Sequence, residues 1–506
     1  MTETSAGHLP EQVRIAIVGS GFSGLGMAIR LKQAGIHDFV VLERRESVGG
    51  TWNDNTYPNC GCDVPSHLYS FSFAPKPDWS RTYSNQPEIW RYLADCAEEY
   101  GVTDYIRYGV EVRSAAWDGS ALRWRVTTDS GTLSAQVVIS AMGPLNEPRY
   151  PDIDGLDSFQ GTMFHSARWN HEHDLRGKRV ASVGTGASAI QYVPAIAPDV
   201  EQLYVFQRTA PWVVPHTDRP LTEVERRLYR SFPPLQRLAR AGVYVGRELM
   251  VPGFVKYPKL MRGLEWLALG HMRRQLRDPE LRRKATPDYT IGCKRILPSN
   301  AWYPALERSN VELVTGGVRE IRANSVVGSD GTEYPVDTIV FGTGFHVTDM
   351  PAAHQVYGRA GRRLDEMFRG SPRAYLGTTF AGFPNMFMML GPNTGLGHTS
   401  MVYMIESQIS YILGALREMN RRDAHTVEVR ADVQDGFNRW VDGKMQPTVW
   451  QTGCSSWYLD STGRNATLWP DWTWRYRHRM ARFDPSDYEF VVRSPRERAG
   501  AIEVAG

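Results

Sequence analysis

Five glycines, one glutamate and one arginine carry the first chemistry that can be read from this chain. Gly19-Ser-Gly21-Phe-Ser23-Gly24 follows the apolar run IAIV. In such a loop the first glycine permits a tight turn. The second lets backbone approach a pyrophosphate, and the third lets helix pack on strand. The diphosphate then meets amide N–H groups at a helix N-terminus. The next apolar run, FVVLE, ends in Glu43, placed to accept from a ribose 2′-hydroxyl. The plan recurs at Gly184-Thr185-Gly186-Ala-Ser188-Ala189, where the following run ends in Gln207-Arg208-Thr209. Glu43 and Arg208 each stand 24 residues after the first glycine of their loops. Where the first site places a carboxylate, the second places a guanidinium, which pairs with a 2′-phosphate by charge-assisted hydrogen bonds. The spacing predicts two dinucleotides, the second of them NADPH rather than NADH.

Other residues carry less by themselves. Lys294-Arg295 suits a solvated surface as well as an anion site. Cys60, Cys62 and His67 lie close in sequence, but no second cysteine pair follows, so no metal site is expected. Five scattered cysteines do not make a disulfide scaffold and read as small packing residues. His171 and His173 read as a solvated turn.

The elements that must position these groups follow from pattern. Each glycine loop joins a short apolar strand to a helix, which predicts an α/β chain with two Rossmann-like units. Between them, Val110–Asp129 alternates like antiparallel strands, and Ala135–Gly143 reads as a buried strand. Residues 222–285 hold 15 Lys/Arg against 6 Asp/Glu, a net +9, with Leu260, Leu264 and Leu267 at helical spacing. This stretch reads as a helical insertion. A solvated helical face is the expected reading of its charge, with an amphipathic lid or membrane-surface contact as the alternative. The resulting organisation is a first unit over 1–145 and 337–506, a second over 146–221 and 287–336, and the insertion over 222–286. Residues 494–506 read as a frayed tail.

The whole chain, 506 residues with 42% hydrophobic and 22% charged residues and a mean hydropathy of −0.39, is neither disordered nor fibrous. Its net charge of +3 marks no nucleic-acid binder. No apolar run spans a bilayer and the first residues lack a signal-peptide pattern, so the expected compartment is the cytoplasm.

Gly49-Gly50-Thr51-Trp52, soon after Glu43, resembles the second glycine pair of flavin-binding units. Disulfide reductases share the two-site plan, but their redox cysteines would fall at Trp52 and Tyr57. Phe159-x-Gly161-x-x-x-His165-x-x-x-Trp169 instead resembles the fingerprint of the Baeyer–Villiger monooxygenases. Asn170 stands where that pattern takes Pro or Asp. A second family pattern matches from Gly49 through Trp52, Tyr57 and Pro58 to Asp63, with Asn59 in place of Gly or Met. GTGF at Gly342–Phe345 replaces the family's usual ATG.

This resemblance implies FAD on the first unit and NADPH on the second. It implies cofactor contacts at Ser23, Thr51, Trp52, Tyr69, Val112 and Asp63, and at Thr185, Ser188, Gln191 and Trp457. Lys294 would join Arg208 and Thr209 at the 2′-phosphate. Arg295 would reach the flavin C4a region, oriented by Asp63, as the catalytic pair. His165 and Trp169 would couple the units rather than do chemistry. The implied reaction uses NADPH and O2 to insert one oxygen beside a ketone carbonyl, giving an ester or lactone. A guanidinium beside a C4a-peroxyflavin would keep it anionic and stabilise charge on the adduct. Oxidation at sulfur or nitrogen is the alternative reaction. A flavin-binding sensor is the non-enzyme alternative, and it needs no 2′-phosphate site.

Overall fold

The computed structural model describes residues 8–492, so the tail expected over 494–506 lies outside the described residues. The run QVRIAIV forms the strand Gln12–Val18, buried on both faces from its middle onward. It pairs in parallel with Phe39–Leu42 on one side and with Gly131–Ser140 on the other. Buried apolar residues on both faces are what a parallel strand covered by helices requires. The sheet continues outward as an antiparallel meander, Val112–Asp118, Arg123–Thr128 and Gly131–Ser140. The later segment Met386–Met388 returns to pair with Gly131–Ser140.

A second sheet is wholly parallel. Its order is Val311–Thr315, Gln202–Gln207, Arg179–Val183, Thr338–Phe341 and Thr162–His165. Thr338–Phe341 was expected to open the returning part of the first unit. It pairs instead inside the second sheet, because its apolar TIVF run fills the gap between Arg179–Val183 and Thr162–His165. The switch back to the first unit therefore falls after residue 341.

Residues 222–285 are helical as expected, with helices over Glu223–Ser231, Pro233–Glu248, Val251–Val255, Arg262–Gln275 and Pro279–Ala285. The helical spacing of Leu260, Leu264 and Leu267 does not mark a single core face. Leu264 packs against the core, while Leu260 and Leu267 are exposed. The long helix Met401–Arg422 packs on the first dinucleotide helix, Phe22–Gln33, and on Thr473–Met480, closing the back of the first unit. Among the described residues no helix is long and apolar enough to cross a membrane.

The cysteines depart from expectation at one place. Cys60, Cys62 and Cys96 are buried free thiols, but Cys293 and Cys454, 161 residues apart, form a disulfide. That bond ties the Lys294-Arg295 segment to the segment carrying Trp457.

Candidate active site

Gly21 is the N-cap of the helix Phe22–Gln33, so the free amides of its first turn point out of the glycine loop. Gly24 lies directly beneath. A Cβ there would stand 1.8 Å from the Gly19 carbonyl oxygen, so only glycine fits. Gly21 and Gly50 approach each other so closely that a Cβ on Gly50 would lie 3.0 Å from the Gly21 Cα. The two glycine turns thus form one backbone-lined cradle, which suits a diphosphate. Glu43 is buried. Its Oε2 accepts from the Ser20 amide at 2.8 Å and the Ser20 hydroxyl at 2.6 Å, and its Oε1 from the Arg45 amide at 2.9 Å. These donors hold the carboxylate at the strand end.

Trp52 Nε1 donates to the Tyr69 hydroxyl at 3.1 Å, so the two residues form one wall. Ser23 is buried in the helix, Thr51 is exposed at the start of the short helix Thr51–Asp54, and Val112 opens the strand Val112–Asp118. Asn59 has φ 62°, the left-handed region. Asn tolerates that region best after Gly, which explains the departure from the family pattern at this position.

The second loop repeats the geometry with a difference. Ala189 is buried at the start of the helix Ala189–Ile196. Gly184 turns with φ 107°. A Cβ on Gly186 would meet nothing within 4 Å, so this loop leaves open space where a phosphate would lie. The Thr185 hydroxyl donates to the Thr209 carbonyl at 3.2 Å, joining the loop to the Arg208 strand end. Ser188 sits at the helix start beside Tyr57. Gln191 reaches across to the first unit. Its Oε1 accepts from the Tyr57 hydroxyl at 3.0 Å and the Gly61 amide at 3.2 Å, while its Nε2 donates to the Gly61 carbonyl at 3.1 Å. Gln191 therefore braces the two units; the sequence had suggested it as a cofactor contact.

Arg208 is exposed, and Lys294 is half-buried beside it with its Nζ 4.8 Å from the Tyr289 ring centroid. Burial, and then the charge of Arg208, pulls the Lys294 ammonium below its ordinary pKa. Among the described residues neither cation forms an ion pair. The Asp288 charge acts on Lys294 from beyond ion-pair distance, so the two cations together still suit a dianionic group.

One residue further, Arg295 meets Asp63 in a bidentate pair, Nε to Oδ2 at 2.8 Å and Nη2 to Oδ1 at 2.6 Å. Its remaining Nη1 lies 3.5 Å from the Leu396 carbonyl. The Asp63 charge raises the Arg295 pKa further. Burial alone would push the Asp63 carboxyl up, but the charge and hydrogen bonds of Arg295 outweigh it and hold the group below its usual range. Both side chains are charged and only partly exposed. Trp457 is 44% exposed, against Tyr458. Cys454 gave no signal in the sequence, since its partner is 161 residues away.

His165 is fully buried, with Nδ1 accepting from the Ala167 amide, and Trp169 packs on Tyr192 and Phe164. Both act as packing between strand and helix. His171 is exposed as expected, but His173 is half-buried and its Nε2 lies 2.7 Å from the Thr338 hydroxyl. Among the described residues no cluster of His, Cys, Asp or Glu could hold a metal.

A family described as pyridine nucleotide-disulphide oxidoreductase matches residues 16–229. The redox-disulfide part of that description finds no counterpart here. Trp52 and Tyr57 stand where the cysteine pair would, and burial pushes the nearby Cys60 thiol up to about 12. The chain is 51% identical to a Baeyer–Villiger monooxygenase of Streptomyces coelicolor over 96% of its own length and 94% of the relative's. It is equally similar, at 51%, to a Baeyer–Villiger monooxygenase of Pseudomonas aeruginosa, over 95% and 92%. Among solved structures it resembles an oxidized steroid monooxygenase bound to NADP, with TM-score 0.85, 30% identity, and coverage of 96% of this chain and 100% of that one. A cyclohexanone monooxygenase from Rhodococcus sp. Phi1 bound to NADP+ superposes with TM-score 0.86 at 27% identity, over 96% and 100%. With two glycine cradles, a cation pair and a carboxylate-held arginine on one frame, and with relatives matched at half of all positions end to end, this chain belongs to the Baeyer–Villiger monooxygenase family.

Proposed function

We propose that this chain is an FAD-containing enzyme that uses NADPH and O2 to convert a ketone into an ester or lactone. One O2 oxygen enters the product; the other leaves as water, with NADPH supplying two electrons. The observation that supports this most strongly is the Arg295–Asp63 pair beside the Lys294–Arg208 cations.

FAD reduced by NADPH supplies the oxygen-activating chemistry. The residues of the chain do the rest. The loop Gly19–Gly24 and the turn Gly49–Gly50 hold the FAD diphosphate, and Glu43 accepts from its ribose. Ser23, Thr51, Trp52, Tyr69 and Val112 complete that site. Gly184, Thr185, Gly186, Ser188 and Ala189 receive the NADPH diphosphate. Arg208, Thr209 and Lys294 select its 2′-phosphate, because an unneutralised cation pair would repel itself without that charge. Trp457 is assigned to the nicotinamide side.

Arg295 places a fixed positive charge beside the reacting atoms. Attack on a carbonyl puts negative charge on oxygen, and a guanidinium held in place stabilises it without reorganising. Donors of this kind lower such barriers by about 3–4 kcal/mol. Asp63 fixes the plane of Arg295 through two hydrogen bonds. An arginine held in this way cannot act as a proton donor, so it favours the deprotonated oxidant that ketone attack needs. Oxidation of sulfur or nitrogen needs the opposite protonation. Matched ketone and sulfide substrates, with products resolved by mass, test the assignment. Ester from the ketone supports it; sulfoxide alone overturns it.

A further inference from the structure

The helix Pro233–Glu248 leaves an apolar stripe facing outward. The side it turns to the protein packs Val243 and Tyr244 on the core, Tyr244 stacking on Tyr403, and is otherwise held by polar anchors. Gln236 Nε2 donates to the Lys76 carbonyl, Arg240 Nη1 to the carbonyls of His67 and Ser70, and Arg247 Nη2 to the Tyr83 hydroxyl. At its last turn Glu248, buried, takes hydrogen bonds from Thr473 and His398. The side it turns outward is apolar. Pro234, Leu238, Ala241, Val245 and the C-cap Leu249 recur three and four residues apart and are all exposed. An ordinary surface helix turns such a stripe toward the core.

The pattern extends beyond this helix. Ten of the sixteen exposed large hydrophobic side chains among the described residues fall between 224 and 267. Leu249 is 71%, Leu260 63% and Trp266 74% exposed. Exposed basic residues lie between them: Arg227, Arg237, Lys256, Lys259 and Arg262. Of these, none is neutralised by an ion pair among the described residues. Exposed apolar side chains gathered on one segment of the chain at this density mark a contact site.

We propose that this face of the insertion docks on a bilayer rich in anionic phospholipid. Its charge favours that occupant. The insertion carries +9 while the remainder of the chain carries −6, so the positive charge is concentrated on the segment that also exposes apolar side chains. A second copy of the chain would bring two such positive faces together in an isologous contact. Leu, Val and Trp interleaved with Lys and Arg suit the headgroup boundary, where the apolar groups leave water and the cations meet lipid phosphate. The proposal is independent of the reaction assigned above.

The test uses the FAD-loaded full chain and sedimentation with two vesicle preparations. One is phosphatidylcholine alone; the other is equal parts phosphatidylcholine and phosphatidylserine. The protein should sediment with the second at low salt, and salt should release it. Leu238→Asp/Val245→Asp/Trp266→Ser should lower partitioning more than tenfold with the thermal midpoint unchanged. Each of Arg237→Gln and Lys259→Gln should lower it about fivefold. No sedimentation with the anionic vesicles at low salt overturns the proposal, as does binding indifferent to these substitutions. A wild-type mass by light scattering of twice the chain, falling to one chain in the triple variant, also overturns it and assigns the face to a second copy.

Discussion

Asp63 grips Arg295 through two of its three guanidinium nitrogens and leaves Nη1 facing the Leu396 carbonyl at 3.5 Å. The Nη1 edge, held only by that long hydrogen bond, is the one proposed to meet the reacting atoms. Asp63 is therefore proposed to act through Arg295, as a positioning residue. Asp63→Ala should lower ester formation about tenfold to a hundredfold, less than loss of Arg295 itself. The double variant should be no worse than Arg295→Ala alone, as residues that work as a unit behave. Ester yield per NADPH in the four proteins checks this. Additive losses would separate the two residues.

Arg208 and Lys294 lie close enough for their charges to interact, with no ion pair to either among the described residues, and are proposed as one anion site. Arg208→Ala should weaken NADPH binding about tenfold or more, the usual size for one hydrogen bond to a charged group, and leave NADH use unchanged. Lys294→Ala should do the same. The ratio of kcat/KM for NADPH and NADH measures it.

The two glycine loops make opposite demands. Gly24→Ala puts a methyl group 1.8 Å from a backbone carbonyl and should give colourless protein that fails to retain FAD. Gly186→Ala meets no protein atom within 4 Å and should leave the thermal midpoint unchanged while weakening NADPH. Thermal melts and flavin absorbance on both variants distinguish them.

Most of the frame was legible in the sequence because it is local. A strand, a glycine turn, a helix and an acid or base at the next strand end lie within about 25 residues of each other, and each leaves its own pattern. Glu43, Arg208 and the insertion were readable for that reason. What the sequence hid is long-range or directional. Cys293 and Cys454 pair across 161 residues, which no spacing announces. Thr338–Phe341 reads as a buried strand in either sheet. Helical periodicity at Leu260, Leu264 and Leu267 suggests one apolar side, but not that Leu264 packs inward while Leu260 and Leu267 face water. Gln191 is implied as a cofactor contact by the resemblance alone, and only the fold shows its hydrogen bonds to Tyr57 and Gly61.

His165 couples stability to pH. Burial, joined by the nearby Arg168 charge, pulls its imidazole down to about 4. In the unfolded chain it takes a proton near pH 6.5, so between those values the unfolded state binds more protons. The contribution is full above pH 6.5 and is lost as the pH falls toward 4, roughly 3 kcal/mol in all. His67, also lowered to about 4 by burial, adds to the same slope. The thermal midpoint should therefore drop between pH 7 and pH 5, and His165→Asn should reduce that drop. An unchanged pH dependence in the variant would remove His165 from the account.

The account rests on Arg295 acting in oxygen transfer rather than in nucleotide binding. The direct measurement is NADPH consumed, H2O2 released and ester formed in one reaction of Arg295→Ala. The variant should retain FAD and still oxidise NADPH, with oxygen leaving as H2O2 and ester reduced about a hundredfold to a thousandfold. Ester formed at the wild-type yield per NADPH would contradict it and leave Lys294–Arg295 as a phosphate clamp alone.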